Sequence, residues 1–210
     1  MRILIIDDHA VARKGLRCIL EAGFSHAVFG EADNAREALQ KIKDHHWDLV
    51  VLDISMPGRN GLEVLQVVRT SRPGLPVLVL SMHPEDQYAV RVIKSGAAGY
   101  ITKESAPEDL LRAVRKVLSG GRYISRALAE EMAAYIIQDY QKPPHELLSN
   151  REFQVLLLIS SGRTVSEIGV EISLSVKTIS TYRARILEKM GMRTNAQLAE
   201  YAIRMKLVGR

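Results

Sequence analysis

A chain of 210 residues, 47% hydrophobic and 25% charged, has the make-up of a soluble globular protein with room for two modest domains. No apolar run approaches the roughly 18 residues that cross a bilayer. The first apolar run ends in two aspartates without a small-residue cleavage site, so neither a membrane span nor a signal peptide is expected. The net charge of +5 is uneven: residues 1–145 carry 19 Lys and Arg against 18 Asp and Glu, and residues 146–210 carry 10 against 6. That asymmetry favours a polyanion partner for the C-terminal third. The single Cys18 excludes an intramolecular disulfide, fits a cytoplasmic location, and reads as a buried or half-buried small side chain.

In chain order, runs rich in Val, Ile and Leu predict strands at about 2–7, 27–31, 48–53, 76–81 and 98–101. Runs apolar on both faces suit parallel strands covered by helices on each side. Helical periodicity fills the gaps at about 10–22, 34–44, 60–71, 85–95 and 107–119. Val11, Leu16, Ile19 and Leu20 share a face of the first helix, and Leu110, Leu111, Val114, Val117 and Leu118 a face of the fifth. Five strand–helix repeats predict a doubly wound α/β domain with a five-stranded parallel sheet over residues 1–120. Gly120-Gly121 stops the fifth helix. A further helix at about 126–139 lies within a linker, 121–146, broken by Pro143-Pro144.

The tail, 147–210, predicts a small all-α domain. Ser149-Asn150-Arg151-Glu152, Thr164-Val165-Ser166-Glu167 and Thr194-Asn195-Ala196-Gln197 each match a capping box. Ser175 caps a helix that Gly191 ends. Helices follow at about 150–161, 165–172, 176–190 and 195–205, and the short Ser173-Leu174 join suits a helix-turn-helix.

Chemistry-bearing residues stand at the ends of the predicted strands: Asp7-Asp8, Asp53, Ser81 and, just past the fifth, Lys103. In a parallel sheet those ends lie side by side, where ligands of open α/β sheets bind. Three carboxylates suit a hard divalent cation such as Mg²⁺, and a hydroxyl and an ammonium suit a phosphoryl group. Alone, each stretch could be a solubilising turn or a helix cap, and Tyr100 a surface ring. His9 reads as a polar first-turn residue, not a metal ligand.

Together, Asp7-Asp8, Leu52-Asp53-Ile54-Ser55-Met56-Pro57-Gly58, Ser81, Gly96-Ala97-Ala98-Gly99-Tyr100 and Lys103 resemble the motif set of a flavodoxin-like response-regulator receiver domain. The resemblance implies that a histidine kinase phosphorylates Asp53. It implies that Asp8, Asp53 and the backbone carbonyl of Ser55 hold Mg²⁺, with Asp7 assisting through water. Ser81 and Lys103 would meet the phosphoryl group, and Tyr100 would turn inward as Ser81 moves. Glu104 departs from the Pro that many receivers carry after the lysine, and a cis peptide is costly without Pro. Ser55 and His83, two residues beyond Asp53 and Ser81, are expected to tune dephosphorylation.

On the helix 176–190, Val176, Ile179, Ile186 and Met190 read as core, and Lys177, Ser180, Thr181 and Ala184 as a second face. Leu148-Ser149-Asn150-Arg151-Glu152, Val155-Leu156, Glu167-Ile168, Ser175-Val176-Lys177-Thr178-Ile179 and Lys189-Met190-Gly191 resemble the LuxR-type helix-turn-helix of NarL/FixJ response regulators. The resemblance implies that the second face meets bases in the major groove of double-stranded DNA. Arg183, Arg185 and Lys189 would contact phosphates or supply helix-end charge. Leu198, Ala202 and Met205 would form a dimerisation stripe. Gly169, where Ala is common, would soften its helix.

The sequence thus reads as a cytoplasmic two-component response regulator that controls transcription. It would be a homodimer when phosphorylated or DNA-bound, able to meet RNA polymerase, and no enzyme beyond slow loss of its own phosphoryl group. Two alternatives stand beside this reading. One is a haloacid-dehalogenase-like phosphatase, disfavoured by Asp53-Ile54-Ser55 in place of Asp-x-Asp. The other is a transcription factor that dimerises without phosphorylation.

Overall fold

The five apolar runs form five parallel strands in the computed structural model: β1 (Arg2–Ile6), β2 (Val28–Ala32), β3 (Leu49–Asp53), β4 (Val77–Ser81) and β5 (Gly99–Thr102). Their order in the sheet is β2-β1-β3-β4-β5. The described residues are 1–56, 61–82, 85–126, 128–130, 132, 143–205 and 207–208. They fall into two compact units, Met1–Ala133 and Ala134–Arg210.

Every residue of β3 and β4 is buried, as a central strand covered on both faces requires. The covering helices are α1 (Ala10–Gly23), α2 (Ala35–Asp44), α3 (Gly61–Ser71), α4 (Glu85–Lys94) and α5 (Pro107–Leu118). Leu20 of α1 and Leu110, Val114 and Val117 of α5 pack on one face of the sheet against Ile3, Ile5, Val51 and Leu80, with Leu16 and Ile19 half-buried beside them. Val11, expected on that face, is 86% exposed in the first turn of α1. Cys18 is also exposed, contrary to expectation, because it falls on the outer side of α1.

Register places the strand ends level. Asp53 pairs with Leu80, and Ser81 with Thr102, while Asp7 extends β1 by donating its amide to the Ala32 carbonyl at 3.1 Å. After α5 the chain turns through Gly120 and comes back beside β5. Tyr123 donates to the Ala98 carbonyl at 2.9 Å and accepts from the Tyr100 amide at 3.1 Å, which covers an edge otherwise open to pairing. Of the helix expected at 126–139, residues 126, 128–130 and 132 are helical, and the remainder lies outside the described residues. Among the described residues every peptide bond is trans, Lys103–Glu104 included.

The helical unit opens with a 3₁₀ turn (Pro144–Leu147), followed by α6 (Asn150–Ser160), α7 (Val165–Glu171), α8 (Val176–Met190) and α9 (Asn195–Arg204). All three expected capping boxes form, Ser175 accepts from the Thr178 amide, and Gly191 ends α8 in the left-handed conformation. Ile179, Ile186 and Met190 of α8 are buried, while Val176 is 50% exposed. Gly169 has a packing reason. A Cβ there would lie 2.8 Å from the Leu174 carbonyl oxygen, so its absence lets α7 approach the turn before α8.

Candidate functional site

In the α/β unit, the buried polar or charged residues among those described are Asp7, Asp53 and Ser81, all at C-terminal strand ends. Burying ionised groups costs several kcal/mol each unless partners are supplied, so their convergence marks a site and not a packing accident. Lys103 supplies part of the answer. Its ammonium lies 2.7 Å from Asp53 Oδ2 and 2.7 Å from Asp7 Oδ2. Backbone geometry brings it there: β5 ends at Thr102, and the Lys103 amide donates to the Ser81 carbonyl at 2.8 Å.

The remaining groups are oriented by short local bonds. The Ser55 amide donates to Asp53 Oδ1 at 2.9 Å, and the His9 amide to Asp7 Oδ1 at 2.8 Å. Ligand atoms of Asp7, Asp8, His9 and Asp53 all lie within 4.8 Å of one another. Asp7 Oδ2 and Asp8 Oδ1 are buried without a hydrogen bond of good geometry, although Lys103 Nζ touches the first and His9 Nδ1 sits 3.2 Å from the second. When ionised, three carboxylates face one ammonium. Two negative charges and two lone-paired oxygens remain for a divalent cation, and an all-oxygen set of this kind fits Mg²⁺.

Protonation follows from the same arrangement. Burial pushes the Asp53 carboxyl above its usual range, more than the Lys103 ammonium and Ser55 amide pull it down. Burial alone would lower the Lys103 pKa, but its contacts with Asp53 and Asp7 outweigh that and raise it. The ammonium therefore stays charged.

Gly61, the first residue of α3, was not singled out from the sequence. A Cβ there would lie 2.4 Å from the Asp53 carbonyl oxygen, so only glycine lets α3 start this close to the end of β3. Tyr100 is fully buried, not a surface ring, and Ser81 is fully buried beside the Asp53 strand. Ser55 Oγ is buried without a hydrogen-bond partner, and His83 lies outside the described residues. His9, set aside as a ligand from sequence, stands geometrically within the group.

In the helical unit, Lys177, Ser180, Thr181, Ala184 and Arg185 are all exposed on α8. Val176 belongs with them: spaced i, i+4 and i+8, residues 176, 180 and 184 share one face. Thr181 Oγ1 donates back to the Lys177 carbonyl at 3.0 Å, and Arg183 Nε donates to Asn195 Oδ1 at 2.6 Å, tying α8 to α9. Lys189, proposed from sequence for phosphate or helix-end charge, has its ammonium 2.6 Å from the buried Glu152 carboxylate. Glu152 also accepts from the Ser149 amide at 2.7 Å, so one carboxylate caps α6 and anchors the end of α8. Its pKa is lowered, because the Lys189 and Ser149 bonds outweigh burial.

The expected dimerisation stripe needs correction. Leu198 and Ala202 are fully buried within their own unit, and Tyr201 joins them, its hydroxyl 2.7 Å from His145 Nδ1. Of the three residues only Met205 is exposed, at 38%, with Ile203 at 45% on the outer side of α9.

Residues 3–115 match the response regulator receiver domain family, and residues 146–202 match the LuxR family of bacterial regulatory proteins. The chain is 36% identical to the response regulator UvrY of Escherichia coli strain K12, over 97% of this chain and 94% of that one. It is 36% identical to the response regulator GacA of Pseudomonas viridiflava, over 99% and 98%. The chain belongs to the NarL/FixJ-type response regulators. Among solved structures, RcsB of Salmonella enterica serovar Typhimurium, bound to promoter rprA with a phosphomimetic BeF₃⁻, overlays with a TM-score of 0.66 at 27% identity, covering 96% of this regulator and 97% of RcsB. The regulator therefore joins a receiver to a LuxR-type DNA-binding domain in a two-component transcription system. Among the described residues no helix is long and apolar enough to cross a membrane.

Proposed function

We propose that this regulator, in the cytoplasm, accepts a phosphoryl group on Asp53 from a histidine kinase, in a reaction that requires Mg²⁺, and that the modification governs its dimerisation and operator binding. The observation that carries the reading is Lys103 bridging Asp53 and Asp7 beside the incompletely bonded oxygens of Asp7 and Asp8. Asp8, Asp53 and the Ser55 carbonyl would hold the ion, with Asp7 assisting. When bound, Mg²⁺ neutralises charge on the transferring phosphoryl group.

The chain's own residues do the rest. A carboxylate oxygen of Asp53 attacks phosphorus in line, a P–O bond forms, and the P–N bond to the donor imidazole breaks. Lys103 starts on the carboxylate and is placed to follow the charge onto a phosphoryl oxygen. The Ser81 hydroxyl donates to another, and Tyr100, buried on the neighbouring strand β5, records the shift of Ser81. A phosphoryl group moves the equilibrium only by its unequal stabilisation of two states, and the paired positions of Ser81 and Lys103 are where that inequality arises. Ser55 and His83 remain the residues proposed to tune dephosphorylation.

In the DNA-binding domain, the face of α8 formed by Val176, Lys177, Ser180, Thr181 and Ala184 reads bases, with Arg183 and Arg185 toward phosphates. Lys189 serves the fold through Glu152. Dimers, formed through the outer side of α9 around Ile203 and Met205, would set two recognition helices about one helical turn apart on DNA. RNA polymerase is the further partner such a regulator would engage. RcsB bound to promoter rprA in the presence of a phosphomimetic supports a link between phosphorylation and operator binding.

Incubation of the intact regulator with acetyl phosphate tests the reading. Label should enter with Mg²⁺, fail with chelator, and be absent from Asp53→Asn. Undiminished labelling of that variant would refute the acceptor assignment.

A further inference from the structure

Asp7 is gripped on every side, and one of the grips comes from outside the acidic cluster. Its amide is held by the Ala32 carbonyl and its Oδ1 by the His9 amide, while its Oδ2 touches Lys103. Its backbone carbonyl accepts from Arg13 Nη1 at 2.6 Å, across the first turn of α1. The Arg13 side chain is 16% exposed, and its Nε donates to Glu31 Oε2 on β2 at 3.1 Å. Glu31 is fixed in turn: Arg17 Nη1 reaches its other oxygen at 2.9 Å, and Lys41 donates to its backbone carbonyl. A planar fork with fixed donors thus spans from a strand interior to the peptide that precedes Asp8.

Resting on the Mg²⁺-dependent reading of the cluster, we propose that Arg13 is a positioning residue for the cation. By clamping the Asp7 carbonyl to β2 it sets the direction in which the Asp7 and Asp8 carboxylates leave the end of β1. Two physical effects compete, and they carry opposite signs. As a bare positive charge behind three carboxylates, Arg13 would repel a divalent cation, and its removal would tighten binding. As a clamp, it holds the ligands in the near-octahedral arrangement Mg²⁺ demands, and its removal would loosen binding. Glu31 answers the Arg13 guanidinium at 3.1 Å, and Arg17, which shares Glu31, is answered in turn by Glu21 at 2.7 Å, so the charge effect is largely cancelled and the clamp dominates. Outer-shell partners of metal ligands are typically worth about 10- to 100-fold in metal affinity.

The test is calorimetric titration of the intact regulator with MgCl₂, comparing wild type with Arg13→Lys, Arg13→Gln and Glu31→Gln, and with Asp8→Asn as the control that marks binding at the cluster. Arg13→Lys keeps the charge and loses the fork; Arg13→Gln loses both. The proposal expects both to weaken Mg²⁺ about tenfold or more and Glu31→Gln to weaken it less. Thermal midpoints in chelator should stay within a few degrees of wild type, and raising Mg²⁺ should restore the wild-type rate of phosphoryl uptake from acetyl phosphate. Tighter binding by Arg13→Gln with Arg13→Lys unchanged would overturn the proposal in favour of the charge effect. So would affinities of all three variants within twofold of wild type, or uptake that added Mg²⁺ fails to restore. If wild type itself binds no Mg²⁺, or binds it identically in Asp8→Asn, the reading of the cluster fails first, and visibly so.

Discussion

The receiver site and the face of α8 are opposite solutions to displaying chemistry. The first is buried and incompletely bonded, with Asp7, Asp53 and Ser81 sealed from solvent and two carboxylate oxygens lacking good hydrogen bonds. The second is exposed and locally content: Thr181 returns its hydroxyl to the Lys177 carbonyl, and Ser175 and Thr178 satisfy each other at 2.8 Å. A site that must chelate a small ion and take a charged group needs desolvated ligands held in place. A surface that must read a duplex needs short, accessible side chains and nearby cations. Unsatisfied polarity betrays the first kind of site; only exposure and helical face betray the second.

The contrast can be broken most forcefully in α9. If Leu198 belongs to the core, Leu198→Ala should cost about 2–5 kcal/mol of stability, read by thermal or denaturant unfolding. Ile203→Asp should leave stability nearly untouched while weakening dimer formation on DNA, read by analytical ultracentrifugation. The reverse pattern would restore the stripe expected from sequence.

Next in size is the Glu152–Lys189 pair. Glu152→Gln should destabilise the DNA-binding domain by about 2 kcal/mol near neutral pH, less than a fully buried broken pair costs because Lys189 is partly solvated. The Glu152 pKa is lowered on folding from an ordinary 4.5. Its contribution is therefore complete above about pH 4.5 and is lost as pH falls through the lower folded value. Unfolding of wild type and variant should converge in that acid range. A difference that persists unchanged there would separate the effect from the ion pair.

The smallest effect belongs to the exposed face. Lys177→Ala should weaken operator binding and, if the ammonium meets a phosphate, reduce the slope of log affinity against log salt by about one. Phosphoryl uptake should be unaffected. Loss of affinity with an unchanged slope is the result expected of base contact, and a slope reduced by about one would move Lys177 to the phosphates.

Much of this was legible in the chain itself. Strand-end motifs located the acidic cluster because a parallel sheet leaves few places for its C-terminal ends to go. Three capping boxes and Gly191 marked helix ends, since orphan amides and carbonyls have few local solutions. What escaped were properties that periodicity does not carry. An apolar stripe on α9 does not say whether its own domain or a partner covers it, and Leu198 and Ala202 face inward. Val11 and Val176 have core-like identity but sit exposed in the first turns of their helices. Arg13 reaching the Asp7 carbonyl, Gly61 abutting Asp53 and Lys189 pairing with Glu152 span 6, 8 and 37 residues; only the assembled fold shows them.

Every other role assigned to the receiver depends on Asp53 being the acceptor within a cation-binding acidic cluster. Borohydride trapping of the acyl phosphate followed by mass mapping of the intact regulator tests it most directly. Reductive modification is expected at Asp53 alone, abolished by chelation of Mg²⁺. Modification at another carboxylate, or at Asp53 regardless of chelator, would contradict it.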